Sequence, residues 1–306
     1  MSEAHAAYSV PAGLRHVAGD IKLAHTVFAL PFAVLGAFLA AGWADRVVAW
    51  WEFALILAAM FFARTMAMTV NRWADAGFDA ANPRTAGRAI PAGRISRGFV
   101  LGVAVGCGAA LVATAGAFWL IAGNPWPVLL SPIVLAVLAG YSFTKRFTPL
   151  AHAVLGLALG LSPVAAAVAI EPGYVATLVP WLLLLVVVGW VAGFDVIYAL
   201  QDVAFDREAG LFSLPSRLGE AKAMNISRGM HAGSAALLWV VWWASPELGP
   251  LFAIAAGLTV VLLIVEHALV WSPERRRIAA AFFPINGAIS ILLGIAGVFD
   301  VVNAVR

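Results

Sequence analysis

Two stretches of this chain gather carboxylates at helical spacing. In "NRWADAGFDAANPRTAGR", Asn71, Asp75 and Asp79 recur every fourth residue, so on a continuous α-helix they share one face. In "DVIYALQDVAFD", Asp195, Tyr198, Asp202 and Asp206 follow the same pattern. Like charges stacked this way repel unless a cation neutralises them. Carboxylates without cysteine or histidine ligands are hard oxygen donors suited to Mg²⁺, which takes one or two carboxylates, keeps water and completes its shell with phosphate. The two clusters, facing each other, are therefore candidates to hold a diphosphate through bridging Mg²⁺. Arg84, Arg88, Lys145 and Arg146 lie on the same expected side of the chain and match phosphate oxygens in charge and geometry. Two facing carboxylate sets ringed by basic residues describe a site for a metal-bound diphosphate.

The elements that carry these residues belong to an integral membrane protein. Of 306 residues, 63% are hydrophobic and 11% are charged, whereas a soluble domain carries roughly a quarter charged residues. Apolar runs of about twenty residues recur, each long enough to cross a hydrocarbon layer as a helix. Breaks at charged, proline-rich or glycine-rich positions set nine spans near 22–42, 50–70, 98–121, 126–143, 149–170, 177–198, 228–245, 250–271 and 279–301. The expectation is an all-α polytopic bundle, one membrane domain over residues 1–306. The first run exceeds the roughly 7–15 residues of a signal-peptide core, so it reads as a retained helix.

Nine spans with an internal N-terminus assign every loop to a side. Only Arg46 and Arg306 then fall outside, Arg64 lies within a span, and every other lysine and arginine falls inside, as the positive-inside rule requires. This sidedness explains the net charge of +3 better than a nucleic-acid partner does. It puts the N-terminus and both aspartate stretches on the cytoplasmic side of a bacterial inner membrane. Trp43, Trp50, Trp51, Trp126, Trp243 and Trp271 fall near span ends, where an interfacial belt is expected. The single cysteine, Cys107, excludes an internal disulfide and reads as packing.

Arg64 lies inside the second span, where a charge must face the bundle interior and find a partner. It reads either as an ion pair with an aspartate or as a grip on an anionic acceptor. Lys22 and His25 open the first span and read by default as a snorkelling lysine and a packed histidine. His152 and the other histidines form no metal-ligand spacing, and Glu266, within the eighth span, requires a partner on a neighbouring helix. A transporter would also place ionisable residues in a membrane, but transport sites sit near the midplane, and these clusters sit at span ends. A non-catalytic scaffold has no use for two carboxylate sets suited to a diphosphate.

The motifs resemble those of the UbiA superfamily of intramembrane prenyltransferases. Asn71, Asp75 and Asp79 match its first signature, "RTAGRAIPAG" from Arg84 to Gly93 its downstream pattern, and Asp195, Tyr198, Asp202 and Asp206 its second signature. Both stretches look most like the 4-hydroxybenzoate polyprenyltransferase branch, including relatives assigned to the futalosine route to menaquinone. Arg72 stands where many members carry another aspartate. The resemblance implies a nine-helix bundle that binds a polyprenyl diphosphate through Mg²⁺ and transfers the prenyl group to a small aromatic acceptor in quinone biosynthesis. It implies Asp75, Asp79, Asp202 and Asp206 as catalytic metal ligands, with Asn71, Arg84, Arg88, Lys145 and Arg146 on the diphosphate. Arg64, Asp195 and Tyr198 are the candidate acceptor contacts, and the lipid bilayer accommodates the tail.

Overall fold

The computed structural model describes residues 9–21, 23–270 and 276–305; of residues 23–25 and 276–282 only the backbone is described. Lys22, Trp271, Arg275 and Arg306 lie outside the described residues, as does the side chain of His25. The described chain contains helices and connecting turns and no strand. Among the described residues, nine long helices make the bundle: α1 (Leu30–Trp43), α2 (Trp50–Ala74), α3 (Arg97–Ala122), α4 (Trp126–Thr144), α5 (Ala151–Ile170), α6 (Val179–Ala199), α7 (Glu220–Ala244), α8 (Pro250–Val270) and α9 (Arg276–Ala304). Among the described residues, eight spans are long and apolar enough to cross a bilayer. The remaining helix, α7, is 25 residues long but carries Ser227, Arg228, His231 and Ser234.

Two departures from the expected spans have local causes. The first span is not one α-helix: Leu23–Phe28 is a 3₁₀ turn, and α1 starts at Leu30 with Pro31 in its first turn. A proline is harmless there because the first N–H groups have no helical partner, whereas deeper in a longer helix it would clash with the preceding turn. Ahead of it stands an unexpected amphipathic helix, Val10–Ile21, buried along Gly13, Val17 and Ile21. Elsewhere the ends follow simple chemistry. Ser96 caps α3 by accepting a hydrogen bond from the Phe99 backbone N–H (3.1 Å), and Gly123 ends it in the left-handed conformation (φ 69°).

In a bilayer, helices gain little from hiding apolar surface, so they associate through close contact and buried polar bonds. α6 is the most enclosed of the apolar spans and packs against α5 and α7; α1 packs against α5 and α9, and α2 against α3. Gly156 of α5 lies so close to the Val188 carbonyl of α6 that a Cβ would collide with it. In the core, Phe32 packs tilted against Trp190 at 5.4 Å and Phe194 meets Trp190 edge to face at 5.2 Å between ring centroids. A polar chain stitches the helices there: Trp190 Nε1 donates to Asn286 (2.8 Å), and Asn286 donates to Glu266 (2.6 Å). Glu266 of α8 thus finds its partner on α9, as its burial requires. At the opposite end from the aspartates, Arg46 grips both oxygens of Glu52 (2.9 Å each) and the Ile170 carbonyl (2.9 Å), tying the α1–α2 turn to the end of α5.

Candidate active site

Both aspartate stretches fall where long helices end on the same side of the bundle. α2 stops at Ala74, Asp75 breaks the helix for one residue, and Ala76–Ala81 resumes it. The fourth-residue bonding persists through the break, with the Asp75 N–H on the Asn71 carbonyl (2.9 Å) and the Asp79 N–H on the Asp75 carbonyl (2.8 Å). The expected shared face therefore survives. The second stretch is less regular than a continuous sixth helix: α6 ends at Ala199, Leu200–Asp202 winds as 3₁₀, and Val203–Glu208 returns to α. A tighter turn inside a helix re-aims the side chains after it. Here Asp195 and Asp202 meet different partners.

The neutralising cations around these carboxylates are side chains of the chain itself. Arg84 forks onto Asp202 through Nε (2.9 Å) and a terminal nitrogen (2.5 Å), and also donates to the Tyr198 hydroxyl (3.2 Å). Arg88 holds Asp79 at 2.6 and 2.7 Å. Lys145 stands 2.8 Å from Asp206, and Arg146 stands 3.2 Å from Asp75. The four basic residues expected on a diphosphate thus each meet one of the four expected metal ligands. Burial pushes the Asp75 carboxyl above its ordinary range, and the hydrogen bond from Arg146 offsets this only in part. Burial works to lower Arg84, but its bonds to Asp202 outweigh it and the guanidinium is raised.

All of these groups line one cavity of about 660 Å³. Its charged end holds both aspartate stretches, and its walls continue as Met60, Leu111, Val134, Leu138, Leu155 and Val191. Asn71 lies at the charged end with its amide on Asp75 (2.9 Å). Arg64 also borders the cavity and donates to the Ile21 carbonyl (3.3 Å), next to the N-terminal amphipathic helix.

The donor set fits Mg²⁺. Asp75, Asp79, Asp202 and Asp206 bring hard carboxylate oxygens to one cavity, and that of Asp206 is wholly buried with the Lys145 ammonium 2.8 Å from it, a place where a buried carboxylate needs a cation. Among the described residues no three His, Cys, Asp or Glu side chains make a ready cage.

Three participants escaped sequence reasoning. His152 of α5 bonds Asp195 through Nδ1 (2.7 Å). Asn82 donates to Asp202 (3.2 Å) while its own oxygen receives the Arg84 backbone N–H (2.9 Å); the Asn-Pro turn signal at 82–83 was the available clue. Arg72, noted only as a departure from a pattern, lines the cavity and donates to Asn71 (2.9 Å).

Comparison with known proteins agrees with this geometry. The model of the UbiA prenyltransferase family matches residues 29–290. A 4-hydroxybenzoate octaprenyltransferase of Cupriavidus necator is 32% identical over 237 residues, covering 76% of this chain and 79% of the relative. One from Photobacterium profundum is 29% identical over 236 residues, covering 77% and 79%. The apo structure of a UbiA homolog from Aeropyrum pernix K1 superimposes with a TM-score of 0.80 at 35% identity, covering 90% of this chain and 98% of that one. A UbiA homolog from Archaeoglobus fulgidus, solved bound to GPP and Mg²⁺, shares the fold with a TM-score of 0.70 at 19% identity, covering 93% and 99%. With both aspartate stretches converging on one intramembrane cavity and the family model spanning most of the bundle, this chain belongs to the UbiA prenyltransferase family.

Proposed function

We propose that this protein transfers a polyprenyl group from an isoprenyl diphosphate to an aromatic acceptor, 4-hydroxybenzoate, in a reaction that requires Mg²⁺. The observation that carries this reading is the single cavity with carboxylates and basic residues at one end and apolar walls beyond them. Arg84, Arg88, Lys145 and Arg146 receive the diphosphate, while Asp75, Asp79, Asp202 and Asp206 hold the metal. Mg²⁺, when bound, supplies Lewis-acid stabilisation of charge on the departing diphosphate.

The residues perform the rest by position. The basic side chains aim at the oxygens where charge grows as the allylic C–O bond breaks and its electron pair leaves with diphosphate. A ring carbon of the acceptor forms the new C–C bond, and the ring proton is then lost. Leu138, Leu155 and Val191 surround the path with hydrocarbon, which keeps water from capturing the allylic cation. Arg64 pairs with the acceptor carboxylate, and Asp195 and Tyr198 face its ring. The octaprenyltransferase names of relatives at 29–32% identity support this acceptor, and the GPP and Mg²⁺ bound by the archaeal homolog support the donor and the metal. The site lies at the cytoplasmic side if the charge asymmetry of the loops sets orientation.

The test is a prenyl-transfer assay on detergent-purified protein with a polyprenyl diphosphate and labelled 4-hydroxybenzoate, with Mg²⁺ and with EDTA. Metal-dependent prenylated hydroxybenzoate is the expected result. Diphosphate binding with no product on this acceptor would overturn the acceptor assignment and leave naphthoates and other aromatic rings to be tried.

A further inference from the structure

His152 and Asp195 form a pair that the diphosphate chemistry does not use. His152 is the second residue of α5 and Asp195 lies on α6, so the pair bridges two helices that pack side by side. The imidazole Nδ1 stands 2.7 Å from Asp195 Oδ2, and Nε2 stands 3.2 Å from the backbone nitrogen of Leu214. A backbone N–H can only donate, so Nε2 is the bare acceptor, and the proton of the neutral ring sits on Nδ1, where it donates to Asp195. The tautomer is fixed by partners on both sides.

Burial makes this bond durable and directional. His152 is only 3% exposed, so water does not compete for it, whereas the Asp195 side chain keeps 27% of its surface open and borders the cavity. One oxygen of Asp195 is thus tethered, and the carboxylate still borders the cavity. The tether has a second end. Leu214 follows a segment whose Leu211 N–H bonds the Asp206 carbonyl (2.8 Å) and whose Phe212 N–H bonds the Lys145 carbonyl (2.7 Å). His152 therefore stands between Asp195, the aspartate of the second stretch whose partner is an imidazole rather than an arginine or lysine, and the backbone that frames the diphosphate end.

We propose that His152 is a positioning residue, which holds Asp195 in the orientation that accepts a hydrogen bond from the hydroxyl group of the aromatic acceptor. The proposal rests on the reading of the acceptor as a hydroxylated ring. It assigns to a histidine the role of locking a carboxylate's geometry, much as outer-shell partners lock the ligands of other sites. It also explains why Asp195 differs from the other site aspartates: its neighbour is a neutral donor, so its charge is aligned without being cancelled.

The test compares three variants of the full-length purified protein: His152→Leu, His152→Asn and His152→Gln. Asparagine puts an N–H near the place of Nδ1, glutamine reaches the place of Nε2, and leucine provides neither. Loss of a hydrogen bond to a charged group predicts about a 10- to 100-fold fall in kcat/KM for the acceptor in His152→Leu. His152→Asn should recover most of that loss and His152→Gln little of it, with the KM for the prenyl diphosphate unchanged in all three. Equal losses in the leucine and asparagine variants, or a parallel rise in the donor KM, would overturn the proposal and reduce His152 to a packing residue. Nitrogen-15 NMR of histidine-labelled wild-type protein reads the pair without turnover: a neutral His152 protonated at Nδ1 is expected, and protonation at Nε2 would overturn it. A wild-type protein that shows the Nδ1 tautomer but prenylates no hydroxylated ring would refute the acceptor reading instead.

Discussion

Replacing Lys145 by methionine asks what neutralises Asp206. Asp206 is wholly buried, and the Lys145 ammonium 2.8 Å from its carboxylate is its cation. Breaking a buried ion pair by removing one partner costs about 3–5 kcal/mol, because the remaining charge is left uncompensated. The Lys145 side chain is 34% exposed, so solvent screens part of the interaction and about 2 kcal/mol is the working figure. Methionine retains the apolar stem, so little of the loss comes from packing. At about 2–4 °C per kcal/mol for a chain of this order of size, the thermal midpoint should fall by about 4–8 °C. Fluorescence-detected size exclusion after heating, with and without Mg²⁺, measures it in detergent. Mg²⁺ should raise the midpoint of the variant more than that of the wild type, because in the wild type the ion must first displace an ammonium. Identical midpoints without Mg²⁺, or identical Mg²⁺ shifts, would refute this account of the charge balance.

Other consequences can be checked alongside. Asp75→Asn and Asp202→Asn should each abolish turnover while eluting as folded protein, since the amide keeps shape but loses the charge; near-normal activity in both would sink the metal-site assignment. Arg64→Ala should raise the KM for the acceptor and leave prenyl diphosphate binding intact; the reverse pattern would mean that Arg64 serves the donor. Gly156→Val should lower the thermal midpoint strongly, because a side chain there meets the Val188 backbone and overpacking costs about 1–3 kcal/mol or more; an unchanged midpoint would show that α5 and α6 can separate freely.

The spans and both aspartate stretches were legible because their signals are local. A twenty-residue apolar run or a fourth-residue repeat can be recognised with no knowledge of what lies beside it. The 3₁₀ turn at Leu200–Asp202 has no such signature, since whether a helix tightens there depends on what its side chains meet. The charge partners were unreadable for a related reason. Arg84 and Asp202 stand 118 residues apart, and His152 and Asp195 stand 43 apart, so only the fold joins them. Sequence reasoning saw that stacked carboxylates need cations and assigned that role to a metal; it did not foresee that each would also meet an arginine or lysine of the same chain. α7 sits at the margin, because its serines and histidine dilute the apolar signal even though its length suffices.

Four carboxylates facing four basic side chains pair with a formal balance of zero. A hollow walled by hydrocarbon tolerates net charge poorly, so on the proposed roles loading it would be an exchange of partners: the carboxylates would pass to metal ions and the guanidinium and ammonium groups to phosphate oxygens. Either newcomer alone would strand half of the original pairs. Metal and prenyl diphosphate should therefore bind with positive cooperativity, each tightening the other by the same factor, and the half-loaded states in which a reactive allylic diphosphate sits without its metal should be sparsely populated.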